Sequence, residues 1–145
     1  MKRRLSISFL AVLLAISCGR KDNVGTPYIL YEIHGEVRDA EGNPLHRIKV
    51  RSGSSESVET SVNGVFVVYG KSSPTASAIV DVICEDVDGE ANGGSFMKTS
   101  QPVQLKLRSA GNGNNKGNYF ASGVSVTMIA KNEGLQNGGE GPTPY

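Results

Sequence analysis

Tryptophan is absent from this chain, aromatic residues make up only 6% of it, and it holds just two histidines and two cysteines. With 145 residues, 38% of them hydrophobic, and 18 glycines, it can fill one modest core and no more. A basic surface is missing too. The formal charge of +1 includes Lys2, Arg3 and Arg4; without them 12 basic residues face 14 acidic ones, which leaves no electrostatic footprint for nucleic acid. Catalytic signatures are also lacking. No G-x-S-x-G elbow or S-x-x-K pair accompanies the many serines. The Gly/Asn run at 111–118 lacks the Lys-Ser/Thr ending that a phosphate loop requires. His34 and His46 have no Cys or His neighbour at ligand spacing and read as solvated surface residues. Asp81 and Glu85 fall on one face of a strand with nothing to push their acidities apart. The expectation is a protein without an active site or cofactor, and so not an enzyme.

What is present begins at the N-terminus. Lys2-Arg3-Arg4 form a positive start, and Leu5 to Ile16 form an apolar run too short to span a bilayer comfortably. The segment ends Leu14-Ala15-Ile16-Ser17-Cys18-Gly19, which resembles a bacterial lipobox. The chemistry needs those residue types: a free thiol takes the diacylglyceryl group, and a small residue before it lets the signal peptidase reach the bond. The reading is a signal peptide over 1–17, lipidation at Cys18 and a polar tether over 18–27. The chain would then be anchored in the cell envelope, at the outer membrane, on its periplasmic side or the cell surface. If Cys18 becomes a thioether, Cys84 has no partner for a disulfide. Cys84 shares a face with Val80 and Val82, so a packed core thiol is expected.

Residues 28–131 read as one β-sandwich domain in which run after run alternates with period 2. Ile29, Tyr31, Ile33, Gly35 and Val37 fall on one face, with Glu32, His34, Glu36 and Arg38 on the other. Ile48 and Val50 alternate with Arg47, Lys49 and Arg51. Between these runs lie Asp39, Glu41-Gly42-Asn43 and Pro44, a turn composition, so His34 to Val50 is expected to be a hairpin. Val58 to Thr60 and Val65 to Tyr69 read as a second hairpin around Asn63-Gly64. Further strands are expected at Ala78 to Asp86, Pro102 to Leu107 and Gly123 to Lys131. The Gly/Asn run after Ser109 reads as a mobile loop, and residues 132–145 as a disordered tail. Seven strands in two packed sheets, an all-β sandwich, is the expected fold.

The order G-x-V-x-D-x-x-G-x-P-L-x-x-I-x-V from Gly35 to Val50, followed by Thr60, Gly64 and Phe66 in the pattern T-x-x-x-G-x-F, resembles the carboxypeptidase regulatory-like domains. That resemblance implies a transthyretin-like, Ig-like β-sandwich with Phe66 in its core.

The stretch Glu85 to Phe96 crowds Asp86, Asp88, Glu90 and Asn92 into one loop. The crowding suggests calcium, but Gly89 arrives too early for an EF-hand and no glutamate closes the motif. The competing reading is a turn whose Asp and Asn side chains bond to their own backbone. No metal is assigned, and the four residues stand as a candidate partner or ion loop. The lipobox, Gly25 to Tyr28 (GTPY), the turn motif and this loop, in that order, resemble the radical SAM-associated lipoprotein family of Bacteroidetes. The resemblance implies a radical SAM enzyme, or another envelope protein, as partner. The functional expectation is a lipid-anchored, non-catalytic accessory or binding module, with a radical SAM enzyme's substrate or partner as the alternative.

Overall fold

The computed structural model describes residues 25–131. The signal peptide, Cys18, most of the tether and the tail read from the sequence lie outside the described residues. Eight strands run in order: β1 (Tyr28–Arg38), β2 (Ile48–Ser52), β3 (Val58–Glu59), β4 (Val65–Ser72), β5 (Ile79–Asp86), β6 (Thr99–Gln104), β7 (Lys106–Ser109) and β8 (Asn115–Thr127). They form two four-stranded sheets, β4-β1-β8-β7 and β3-β2-β5-β6. The all-β sandwich expected from the alternation is therefore what the chain builds, with eight strands instead of seven. Every pairing is antiparallel except that of the first and last strands, β1 and β8, which lie parallel in the middle of their sheet.

The inward faces follow the period-2 pattern. Ile29, Tyr31, Ile33 and Val37 of β1, Ile48 and Val50 of β2, Phe66 and Val68 of β4, Val82 and Cys84 of β5, and Val126 of β8 are buried in one core cluster. Gly35 belongs to the same face for a steric reason. It sits opposite Phe66 across the β1–β4 ladder, and a Cβ there would lie 2.5 Å from Phe66 Cζ and 2.7 Å from the Val124 carbonyl oxygen. Only glycine leaves room for the ring. Tyr31 is buried with its hydroxyl 3.2 Å from the Ser52 carbonyl and 3.1 Å from Ser52 Oγ, so its polar end is satisfied across the two sheets.

Three expected connections differ from the structure, and all for one reason. Alternation marks which side chains are buried, but the inner faces of two packed sheets carry the same pattern. The turn after β1 forms as read: the Gly42 amide donates to the Asp39 carbonyl at 3.1 Å, and the Asp39 carboxylate accepts from the Glu41 and Asn43 amides at 3.0 and 2.8 Å. Beyond the single bridge Arg38–Pro44, however, the chain dives through buried Leu45 into the other sheet, so β1 and β2 are not a hairpin. Likewise β3 pairs with β2 and β4 with β1. The link between them turns at Val62-Asn63, where the Gly64 amide donates to the Ser61 carbonyl at 2.9 Å and Gly64 alone takes a positive φ of 74°. Buried Thr60 holds this arch shut, donating to the Leu45 carbonyl at 2.6 Å and accepting from the Ile48 amide at 2.9 Å.

The third crossing splits the strand read as Pro102 to Leu107. β6 stays in one sheet and β7 joins the other. Leu105 is buried at the switch, while Leu107 turns out to solvent. The Gly/Asn run is also more ordered than its composition suggests. Its second half is the start of β8, where the Asn115 side-chain oxygen accepts from the Gly117 amide at 2.9 Å and Asn118 Nδ2 donates to Ser109 Oγ at 3.0 Å. Gly117 is buried, and a Cβ on it would meet Leu107 Cδ1 at 2.9 Å.

Candidate functional site

The strand directions send the two long irregular segments to opposite ends of the sandwich. The acidic loop after β5 meets the C-terminal end of the described chain, with Phe96 bridged to Ala130 and the Met97 amide bonded to the Ile129 carbonyl at 2.8 Å. The Gly/Asn loop lies by the start of β1, where the Tyr28 amide donates to the Asn114 carbonyl at 2.9 Å.

At the acidic end, the Asp86 and Asp88 carboxylates are engaged with the loop itself. Asp86 accepts from the Asp88 amide at 3.2 Å through one oxygen and from the Phe96 amide at 2.9 Å through the other, which seats the buried Phe96 ring. Asp88 accepts from the Asn92 side chain, and that hydrogen bond is the main reason its carboxyl lies below the usual range. Asn92 takes a positive φ of 54°, and Glu90 and Asn92 stand exposed. Loop closure is the role the geometry gives Asp86 and Asp88. Among the described residues, no three His, Cys, Asp or Glu side chains come together in a group that could hold a metal ion.

The histidines separate. His46 is half-buried just past the turn. His34 lies on the open face of β1 and donates to the Glu32 carboxylate, which also takes Arg108 of β7 at 2.9 Å. His34 first and Arg108 second hold the Glu32 carboxyl below its usual range. Periodicity placed Glu32 and His34 on the wet face, but nothing in the sequence linked them to a strand 76 residues away. Cys84 is fully buried, and burial pushes its thiol up to about 12, so it is inert at neutral pH.

A concavity lies at the other end. A cleft of about 630 Å³ opens between Thr26 to Tyr28, the end of β2, the end of β4 and the start of β5. Lys71 stands on one rim with its Nζ 4.0 Å from the centre of the Tyr28 ring. Arg51 lies half-buried on another wall and donates to the Gly53 carbonyl at 3.2 Å. Asp81 faces the space from β5, and Ser54 and Ser73 add hydroxyls. Among the described residues, none of Arg51, Lys71 and Asp81 lies within ion-pair distance of an opposite charge, whereas Arg38, Arg47, Lys98 and Arg108 all do. Sequence reasoning missed this site because its walls come from four separate segments, each of which reads as an ordinary polar strand end.

No family model matches the chain, and no curated protein matches it. Solved structures do share its outline. One is a 3-chlorocatechol 1,2-dioxygenase from Rhodococcus opacus 1CP, with a TM-score of 0.47 at 13% identity over 76% of this chain and 62% of that one. Another is a hydroxyquinol 1,2-dioxygenase from Pseudomonas putida DLL-E4, with a TM-score of 0.46 at 8% identity over 71% of this chain and 57% of that one. The chain thus spans about three fifths of the length of the structures it matches. Both are enzymes by name, and against them the functional expectation of a non-catalytic accessory or binding module, with its radical SAM alternative, does not stand. At these TM-scores and identities the likeness assigns no activity to this chain.

Proposed function

We propose that this chain is an envelope lipoprotein, acylated at Cys18 and held at the outer membrane, whose sandwich turns its cleft end toward the lipid surface. The observation that carries the reading is the position of the chain's entry. The segment Thr26 to Tyr28 that leads out of the tether forms one wall of the cleft. From Cys18 to Gly25 the chain advances seven residues, a reach of at most about 25 Å when fully extended. An anchor at Cys18 therefore keeps the cleft within about one domain diameter of the membrane.

Charge supports the same orientation. Toward the cleft end Arg51, Lys71 and Lys116 outnumber Asp81 and Glu56, whereas the loops at the far end carry Asp39, Glu41, Asp86, Asp88 and Glu90 against Arg47 and Lys98. This small excess favours the cleft end facing anionic head groups, where each Lys or Arg near the surface contributes about 1 kcal/mol.

The test is the intact mass of the protein extracted from membranes. Cleavage before residue 18 with an acylated N-terminal cysteine is expected, and Cys18→Ala should release the protein or leave it unprocessed. Normal processing and membrane retention of Cys18→Ala would sink the reading.

A further inference from the structure

We propose that the cleft beside the tether is a binding site for the head group of an aminophospholipid, with its phosphate between Lys71 and Arg51 and its primary amine at Asp81. The proposal rests on the membrane-facing orientation given above and names the ligand of that cleft.

The chemistry of the lining selects the ligand class. Lys71 is held over the Tyr28 ring, 4.0 Å from its centre, which orients the ammonium without neutralising it. Arg51 has one N–H engaged with the Gly53 carbonyl, and its remaining donors are available to an oxyanion. A guanidinium fork and an ammonium together suit phosphate oxygens. Asp81 argues against a simple anion. It is exposed on β5 and lines the same space, so a bare phosphate or polyphosphate would meet a repelling carboxylate. A zwitterion carrying both a phosphodiester and an ammonium satisfies all three charges at once. Size is consistent as well: about 630 Å³ lies within the range of small-molecule sites, from roughly 300 to 1,000 Å³. Exposed apolar side chains border this end, with Ile79 in the lining and Leu30 and Tyr69 just outside it, so the first carbons of the acyl chains would meet apolar surface.

The experiment is an NMR titration of the full chain carrying Cys18→Ser with dihexanoyl phosphatidylethanolamine below its micelle concentration. The dihexanoyl phosphatidylglycerol and phosphatidylcholine analogues run in parallel. Because this variant cannot be acylated at residue 18, its outcome is separate from the mass measurement that tests the anchor.

Saturable shifts confined to Gly53, Gly70, Lys71 and Asp81 are expected, with the ethanolamine lipid binding most tightly. Lys71→Gln with Arg51→Gln should weaken it by about tenfold or more, the loss of charge-assisted hydrogen bonds. Asp81→Asn should erase the preference for ethanolamine over glycerol while leaving the glycerol lipid bound. All three positions are exposed or half-buried, so the variants should keep the parent's fold, and Lys71→Glu alone provides a second reading of the phosphate contact. Equal affinity for the three lipids, shifts elsewhere on the surface, or indifference to Lys71 and Arg51 would overturn the assignment. If soluble O-phosphoethanolamine binds as tightly as the lipid, the membrane source is overturned.

Discussion

Replacing Gly35 by alanine adds one methyl group and tests how tightly the sandwich is closed. The new carbon would lie 2.5 Å from Phe66 Cζ, 2.8 Å from Phe66 Cε1 and 2.7 Å from the Val124 carbonyl oxygen. Real Cβ contacts start well beyond these distances, so the ring must tilt and the β1–β8 ladder must part slightly. Phe66 is buried and has little space to yield. Overpacking of this kind costs about 1–3 kcal/mol, and the rigid backbone oxygen argues for the upper half of that range. For a domain of about a hundred residues, 2 kcal/mol lowers the melting temperature by roughly 8–16 °C, readable by circular dichroism or calorimetry. A second measurement separates the ring from the carbonyl. In Gly35→Ala with Phe66→Leu the flat ring is gone, so the pair should cost less than the sum of its singles by at least about 0.5 kcal/mol. A Gly35→Ala protein melting within two degrees of its parent, or strict additivity in the double variant, would show that Phe66 does not lie over this glycine.

Thr60→Val keeps the shape of the side chain but strands the Leu45 carbonyl and the Ile48 amide in a buried arch, and should cost about 2–4 kcal/mol in a urea melt; an unchanged midpoint would contradict the arch. Exchanging residues 111–117 for a Gly/Ser linker of equal length should lower the melting temperature, since Asn115 and Gly117 build the start of β8; a neutral exchange would restore the reading of that run as a mobile loop. Desolvation works against the Asp39 carboxylate, but hydrogen bonds from the Asn43 side chain and from the Asn43, Glu41 and Gly42 amides outweigh it and hold the group below its ordinary 3.8. Its contribution should thus be complete above that value and fade as the pH falls through it, an acid limb that Asp39→Asn flattens in pH-dependent melts. At the other extreme, the Cys84 thiol stays protonated in the fold up to about 12 while the unfolded chain ionises near 9.0, so stability should fall between those values, and less so in Cys84→Ala.

The faces of the strands could be read from the sequence because burial on one side of a strand repeats every second residue. Ile29 to Val37, Ile48 with Val50, and Val82 with Cys84 all sit where alternation puts them. The change of sheet at Leu45, Ser61 to Gly64 and Leu105 could not be read, since a residue facing the core from either sheet meets the same apolar surroundings. Leu105 and Leu107 illustrate the limit: both continue the alternation of Val103, yet one plugs the core and the other faces water. The opening of β8 was hidden for a different reason. Asparagine and glycine have little preference for strands, and tertiary contacts to Ser109 and Leu107 override that preference. The acidic loop was visible as a cluster, but hydrogen bonds turn Asp86 and Asp88 inward on the loop. The cleft, whose charges are ten or more positions apart in the chain, gave no local sign at all.

The parallel pairing of β1 with β8 also bears on when the chain can fold. The central ladder of one sheet joins the first residues of the domain to the last, Tyr28 to Asn115 and Arg38 to Thr127. Until β8 is present, β1 has a partner on one side only, and the Val126 layer of the core is missing. Contacts so distant in sequence close slowly, because the whole intervening loop must be ordered first. A nascent chain therefore has no stable sandwich to form while its C-terminal strand is still being made. It stays open until that strand is available, and the two ends of the domain then lock together.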